Sequence, residues 1–288
     1  MRKLMFLSVW VACVACKEHK PSTYSLNERQ ELVLDVQAAG VPATLSFATD
    51  SEVTLIQEDF VNKQGLRPHR QVNMNGVPSD VVYLLDFQVG GVRLDSVEAV
   101  VARVEDGFFD FFAYDGLLGL HIIQELAWSF DQEKQEVTVR KENMKAPEGA
   151  VSLAFDTRGA PGYIVVDLKD DSDSDSATRA QFSSRNASLL STVYRQEAFM
   201  EQPVSLDQQV EASKLTTLAV SALECKEEIV SDYSFLGHRI KRALLKEMEG
   251  NFETKVLLGN QIIRESSLFI LDPFEGKIHV AFPEQGAE

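Results

Sequence analysis

From Glu31 onward, apolar and polar residues alternate in short runs separated by turn residues, which is the pattern of half-buried strands. ELVLDVQAAGVPATLSF (31–47) reads as a hairpin. VNMNGVPSDVVYLLDFQVGGVRLDSVEAVVARV (72–104) continues it, with Asn75-Gly76 and Gly90-Gly91 as turn signals between β-branched segments. At least four strands are expected there. Helical patterning is sparse and predicts only short helices, at 57–64, 121–126, 192–200, 239–249 and 261–265. The expected class is all-β, with a few short helices covering the ends.

The pattern also repeats. LLGLHII at 117–123 returns as LLGNQII at 257–263, and WSFD at 128–131 with VTV at 137–139 recurs as FILD at 269–272 with IHV at 278–280. Upstream, LVLDV at 32–36 has a counterpart in IVVDL at 164–168. The offset is 140 residues between Gly119 and Gly259 and 132 between Asp35 and Asp167, so the second copy is longer between these points. The polar run KDDSDSDS at 169–176 sits where it can absorb the excess. Such a period is far too long for a solenoid and implies a duplicated domain. The copies divide into lobes at 31–145 and 146–288.

Composition changes the picture mainly at the N-terminus. Of 288 residues, 44% are hydrophobic and 25% charged, which suits a soluble globular body of one or two domains. Arg2 and Lys3 precede an apolar stretch at 4–15 that is shorter than the roughly 20 residues a spanning helix needs. Cys16 and the polar KEHKPST follow it. This is the pattern of a bacterial lipoprotein signal: residues 1–15 are removed, Cys16 is acylated, and 16–30 form a tether. Cys13 as acceptor and a plain cleaved signal are the alternatives. The protein is then expected in the bacterial cell envelope, attached through lipid, with Lys17 favouring the outer membrane. A net charge of −16 repels phosphate backbones and anionic headgroups, so nucleic acid is not an expected partner. After processing, Cys225 is the one cysteine besides the anchor, which excludes an internal disulfide.

The segment YDGLLGLHIIQELAWSFDQEKQEVTV (114–139) and its copy at 256–280 resemble the aspartic proteases, in their bilobal pepsin-like or tandem retropepsin-like arrangement. That resemblance implies one aspartate from each lobe, carried on a strand-end D-T-G-A/S loop. One carboxylate is ionised and acts as base while its protonated neighbour acts as acid, because adjacent like charges cannot both ionise. It also implies a groove between the lobes that holds an extended peptide by strand-like hydrogen bonds beneath a hairpin flap. The flap is expected within 71–83, around Asn75-Gly76.

Both expected loops lack the acid. In the first lobe Ala48-Thr49-Asp50-Ser51 stands where D-T-G-S belongs, so Ala48 replaces the aspartate and Asp50 the glycine. In the second lobe either Ser183 or Ser184 takes the aspartate's place, with Arg185 or Asn186 at the glycine position, where asparagine tolerates a left-handed backbone. FDTRGA at 155–160 contains an Asp-Thr pair, but Asp156 precedes the lobe's opening strand and is a decoy.

Other chemistry finds little support. No H-E-x-x-H, G-x-S-x-G, G-x-G-x-x-G or Walker loop occurs, and the five histidines lack ligand spacing. The acidic run at 170–175 offers D-x-D-x-D, but Ser176 and Phe182 stand where a calcium loop needs Gly and Glu, so no metal site and no cofactor are expected. The expectation is a lipid-anchored pseudo-protease that binds an extended peptide or protein segment without cleaving it. One alternative is an active endopeptidase using Asp50 or Asp156. Another is a structural envelope lipoprotein.

Overall fold

The computed structural model describes residues 21–74, 77–103, 114–156, 163–170, 173–194, 225–249 and 254–284. Cys16, the expected signal at 1–15 and the turn expected at Asn75-Gly76 lie outside these residues, as do the side chains of the acidic run at 170–175. The first lobe contains β1 (Ser22–Leu26), β2 (Leu32–Ala38), β3 (Val41–Phe47), β4 (Thr54–Gln57), α1 (Glu58–Gln64), β5 (Arg70–Met74), β6 (Val77–Val89), β7 (Val92–Ala102), β8 (Gly116–Leu118), α2 (Leu120–Ile123), β9 (Ala127–Asp131) and β10 (Glu136–Arg140). The second contains β11 (Val151–Asp156), β12 (Ile164–Asp170), β13 (Asp173–Ser183), β14 (Leu190–Tyr194), β15 (Cys225–Phe235), β16 (His238–Glu249), β17 (Val256–Gly259), α3 (Gln261–Glu265), β18 (Leu268–Asp272) and β19 (Lys277–Ala281). The protein is all-β and two-lobed, and the first lobe starts before residue 31: Ser22–Leu26, expected to lie in the tether, form β1, which pairs with β10 and β2 and buries Tyr24.

The duplication is written in the hydrogen bonding. In the first lobe β8 lies parallel to β3 and antiparallel to β4, and β4 lies parallel to β7. In the second, β17 lies parallel to β13 and antiparallel to β14, and β14 lies parallel to β16. The hairpin β6–β7 turns at Gly90-Gly91, and its copy β15–β16 turns at Leu236-Gly237. Both central residues of the first turn have positive φ, 53° and 91°, which only glycine adopts without strain.

Register refines where the second copy is longer. Val33 pairs with Ser46, and its counterpart Val165 pairs with Gln181, so the offset grows from 132 to 135 residues across the β12–β13 hairpin. The acidic run therefore absorbs only part of the excess. The rest accumulates between that hairpin and Gly259.

One antiparallel sheet joins the lobes in the order β1-β10-β9-β18-β19-β11. At its centre Phe130 pairs with Phe269 and Trp128 with Leu271, so the register is symmetric about the Ser129–Ile270 pair. Aromatic side chains from both lobes meet on its inner face. Phe47 packs edge-on against Trp128 and Phe130, with ring centroids 5.0 and 5.2 Å apart, while Phe182 lies 5.6 Å from Phe269. All five rings are buried, each removing about 150–250 Å² from water. The Trp128 Nε1–H donates to the Ile123 carbonyl at 2.9 Å, which satisfies its polar edge.

Two helix expectations fail. Residues 239–249 carry strong helix formers, yet Arg239 to Glu249 lie in β16, held by β15 on one side and β14 on the other with Ile240 and Ala243 buried. Two-sided pairing outweighs a weak intrinsic preference. Thr192 likewise lies in β14, and the remainder of that expected helix falls outside the described residues. No helix among the described residues is long and apolar enough to cross a membrane.

Candidate functional site

The loops that follow β3 and β13 meet between the lobes and grip each other. Thr49 N–H donates to Ser184 Oγ at 2.9 Å, and Ser184 N–H donates to Thr49 Oγ1 at 2.9 Å. Each hydroxyl then donates to the carbonyl just before the opposite loop, Thr49 Oγ1 to Phe182 O at 3.1 Å and Ser184 Oγ to Phe47 O at 2.5 Å. Both residues are fully buried, so the bonds form where water does not compete.

This exchange fixes the correspondence that the sequence left open. Thr49 matches Ser184, Ala48 matches Ser183, and Asp50 matches Arg185. Ala48 and Ser183 are buried and present a methyl and a hydroxymethyl group, so neither of these two positions supplies a carboxylate. Asp50, Arg185 and Asn186 all have negative φ, so none of these positions requires glycine.

The repeated LLG motif seats these loops. A Cβ on Gly119 would lie 2.2 Å from the Val53 carbonyl carbon, and one on Gly259 would lie 2.1 Å from the Ser188 oxygen. The loop backbone therefore passes directly over each glycine. Gly119 N–H donates to Thr54 Oγ1 at 3.1 Å and Gly259 N–H to Leu189 O at 3.0 Å. In the second lobe the Asn186 carboxamide ties the loop to itself, accepting from Ser188 N and Oγ and donating to Ser191 Oγ at 2.8 Å.

Asp50 and Arg185, at matching positions of the two loops, carry opposite charges across the lobe boundary. Arg185 Nη1 stands 4.0 Å from Asp50 Oδ1, and Arg185 Nε donates to Glu31 Oε1 at 3.3 Å. Tyr114 OH donates to Glu31 Oε2 at 2.9 Å, while Ser183 Oγ lies 3.4 Å from Asp50 Oδ2. The side chains of Glu31, Asp50 and Arg185 are 6%, 12% and 19% exposed, so the pairing is largely out of solvent. Burial pushes the Asp50 carboxyl above its ordinary value, against the pull of Arg185. Burial opposes the Arg185 charge, but Asp50 and Glu31 together more than restore it. Burial and then Glu31 push the Tyr114 phenol up.

An acid–base dyad needs two carboxylates that share one site, one of them protonated. Here the Asp50 carboxylate faces the Arg185 guanidinium. Asp156 does not join it, being exposed at the end of β11 opposite Val165. The histidines are dispersed as well: His69 stacks on Tyr83 at 3.9 Å and contacts Glu98, and His121 Nδ1 contacts Glu52 O. His279 Nδ1 lies 2.8 Å from Ser152 Oγ and its Nε2 lies 3.5 Å from Glu275, but this is a cross-strand contact on the joining sheet with the imidazole buried. No group of three or more potential metal ligands occurs among the described residues.

The expected flap corresponds to the antiparallel hairpin β5–β6, which pairs Arg70 with Val81 through Met74 with Val77. Its base is fastened by Arg70 and His69 on Glu98 and by Arg103 on Glu58 and Asp80. Two surface pockets of about 660 and 440 Å³ lie elsewhere on the first lobe and share Pro42 and Asp115. Neither is lined by Ala48, Asp50, Ser183 or Arg185. Glu31 and Tyr114 are the site residues that sequence reasoning missed, because each lies remote in the chain from the loops it supports.

No known family profile matches the chain, and no characterised protein matches it in sequence. Among solved structures, the aspartic proteinase from Irpex lacteus is similar at 11% identity, with a TM-score of 0.47, covering 92% of this chain and 97% of that one.

Proposed function

We propose that this protein is a lipid-anchored, non-catalytic relative of two-lobed aspartic peptidases that binds an extended peptide or protein segment between its lobes. The observation that carries this reading is the pair Ala48 and Ser183, which precede the interlocked Thr49 and Ser184 and offer no acid or base. The β5–β6 hairpin supplies backbone groups able to add strand-like hydrogen bonds to an extended ligand. Acylation at Cys16 would hold the body at the bacterial envelope, the outer membrane being the favoured site.

The test is cleavage and binding of a diverse extended-peptide library by the soluble chain from Lys17, from pH 3 to 7, beside a variant with Ala48→Asp and Ser183→Asp. Saturable binding without cleavage by the unaltered chain is expected. Cleavage by the unaltered chain would make it an endopeptidase, and absence of saturable binding would leave a structural role. Anchoring is tested separately, by incorporation of a labelled fatty acid that Cys16→Ser abolishes.

A further inference from the structure

The turn between β1 and β2 belongs to the first lobe but is fastened to the second. Asn27 organises it internally: its Oδ1 accepts from the amides of Arg29 and Glu31 at 2.9 Å each, and its Nδ2 donates to Glu31 Oε2 at 2.8 Å. Gln30 adopts φ 63°, a conformation that non-glycine residues seldom take. Asn260 Nδ2 donates to the Gln30 carbonyl at 2.6 Å, Arg264 Nη1 to Gln30 Oε1 at 3.1 Å, and Arg185 Nε to Glu31 Oε1 at 3.3 Å. Three side chains of the second lobe therefore hold one short turn of the first.

Asn260 and Arg264 also bind the loop that follows β13. Asn260 Nδ2 donates to Ser184 O at 2.9 Å and Arg264 Nη2 to Ala187 O at 2.6 Å, so turn and loop are clamped by shared donors. Beneath them lies the Asp50–Arg185 pair. Asp50 and Glu31 both face Arg185, Tyr114 donates to Glu31, and the Arg29 charge acts on Tyr114 as well. Among the described residues, Arg185 Nη1, Asp50 Oδ1 and Asn260 Oδ1 are buried without a hydrogen-bond partner. Buried polar groups left in that state favour a competing arrangement that satisfies them.

We propose that residues 27–31 form a strap that closes the groove between the lobes and lifts to admit a peptide, with Glu31 on Arg185 as its catch. This rests on the peptide-binding reading above and adds its control. Removing the catch frees the turn without disturbing the joining sheet, because the strap's lobe-to-lobe contacts are polar side-chain bonds and the sheet's are backbone bonds between β9 and β18.

The test compares the full chain with Glu31→Gln, which keeps the shape and removes the charge, and with Arg264→Met, which removes a contact to Gln30. Hydrogen exchange is followed without ligand at residues 27–31 and at β9 and β18, and affinity is measured for peptides selected from the extended library. The strap predicts exchange about tenfold faster at 27–31, the loss of one charge-assisted bond, with β9 and β18 unchanged. It also predicts peptide affinity raised by a similar factor in both variants. Unchanged exchange at 27–31 in both variants overturns the strap. Faster exchange with unaltered affinity overturns its role as a gate. Faster exchange with no binding by any form supports a separable strap and instead rejects the peptide-binding reading.

Discussion

Thr49 and Ser184, 135 residues apart in the chain, each donate a backbone N–H to the other's hydroxyl at 2.9 Å. The interaction is reciprocal, so loss of either hydroxyl leaves two amide or carbonyl groups of the opposite loop unsatisfied in a buried place. Thr49→Val, which keeps the shape, is expected to destabilise the fold by about 2–4 kcal/mol. Ser184→Ala should cost a similar amount, and the double variant less than the sum, because both act on one network. Denaturant unfolding of the three variants checks this, and additive effects would show that the loops do not act as a unit.

Gly119 and Gly259 test the seating of those loops. Either Gly→Ala change places a methyl carbon about 2 Å from fixed backbone, well inside any real contact. The loop must move, so the expected loss is about 2–4 kcal/mol, at the upper end of ordinary single substitutions. Equal melting temperatures for variant and parent would contradict the close approach.

Arg185 neutralises two carboxylates, so its removal and theirs should not be equivalent. Arg185→Met takes the Arg185 cation away from the buried Asp50 and Glu31 and is expected to cost about 3–5 kcal/mol. Adding Asp50→Gly and Glu31→Gln to it should recover much of that loss, since replacing all the charges avoids stranding any. Chemical denaturation of the single and triple variants distinguishes this from a simple packing effect, which the extra changes would only worsen.

The pH dependence of Asp50 has a definite sign. Burial raises its folded-state pKa above the unfolded value of about 3.9. The folded protein therefore takes the proton first. Stability from this group rises as pH falls from neutral through the raised pKa and is complete below about 3.9. In Asp50→Asn that rise should vanish from the curve of stability against pH. Glu98 should show the reverse. Hydrogen bonds from Arg70 and then His69 lower its pKa to about 2, so its stabilisation is present above about 4.3 and fades as pH falls toward 2. Parallel curves for Asp50→Asn and parent would refute the assignment at Asp50.

Strand content, the two-lobed plan and the LLG repeat were legible because they depend on local pattern and internal likeness. Alternation in 31–47 marked β2 and β3, and turn glycines marked the β6–β7 hairpin. The loop correspondence was not legible to a single residue, since Ser183 and Ser184 are chemically alike and only the contact with Thr49 tells them apart. The Glu31–Arg185 pair joins residues far apart in sequence, and no spacing announces it. Residues 239–249 were misread because leucine, lysine and glutamate favour a helix locally, while the neighbouring strands that overrule them are distant in the chain.

The symmetric register at Ser129 and Ile270 bears on what half of this chain would do alone. A fragment ending after β10 would carry β9 with one edge bare, its apolar side chains prepared for a partner with the spacing of β18. Because the pairing is centred on matching positions, a second copy of the same fragment can meet that edge two-fold. Each half thus carries the template for a self-paired dimer, and linking the halves in one chain turns a concentration-dependent assembly into an intramolecular one.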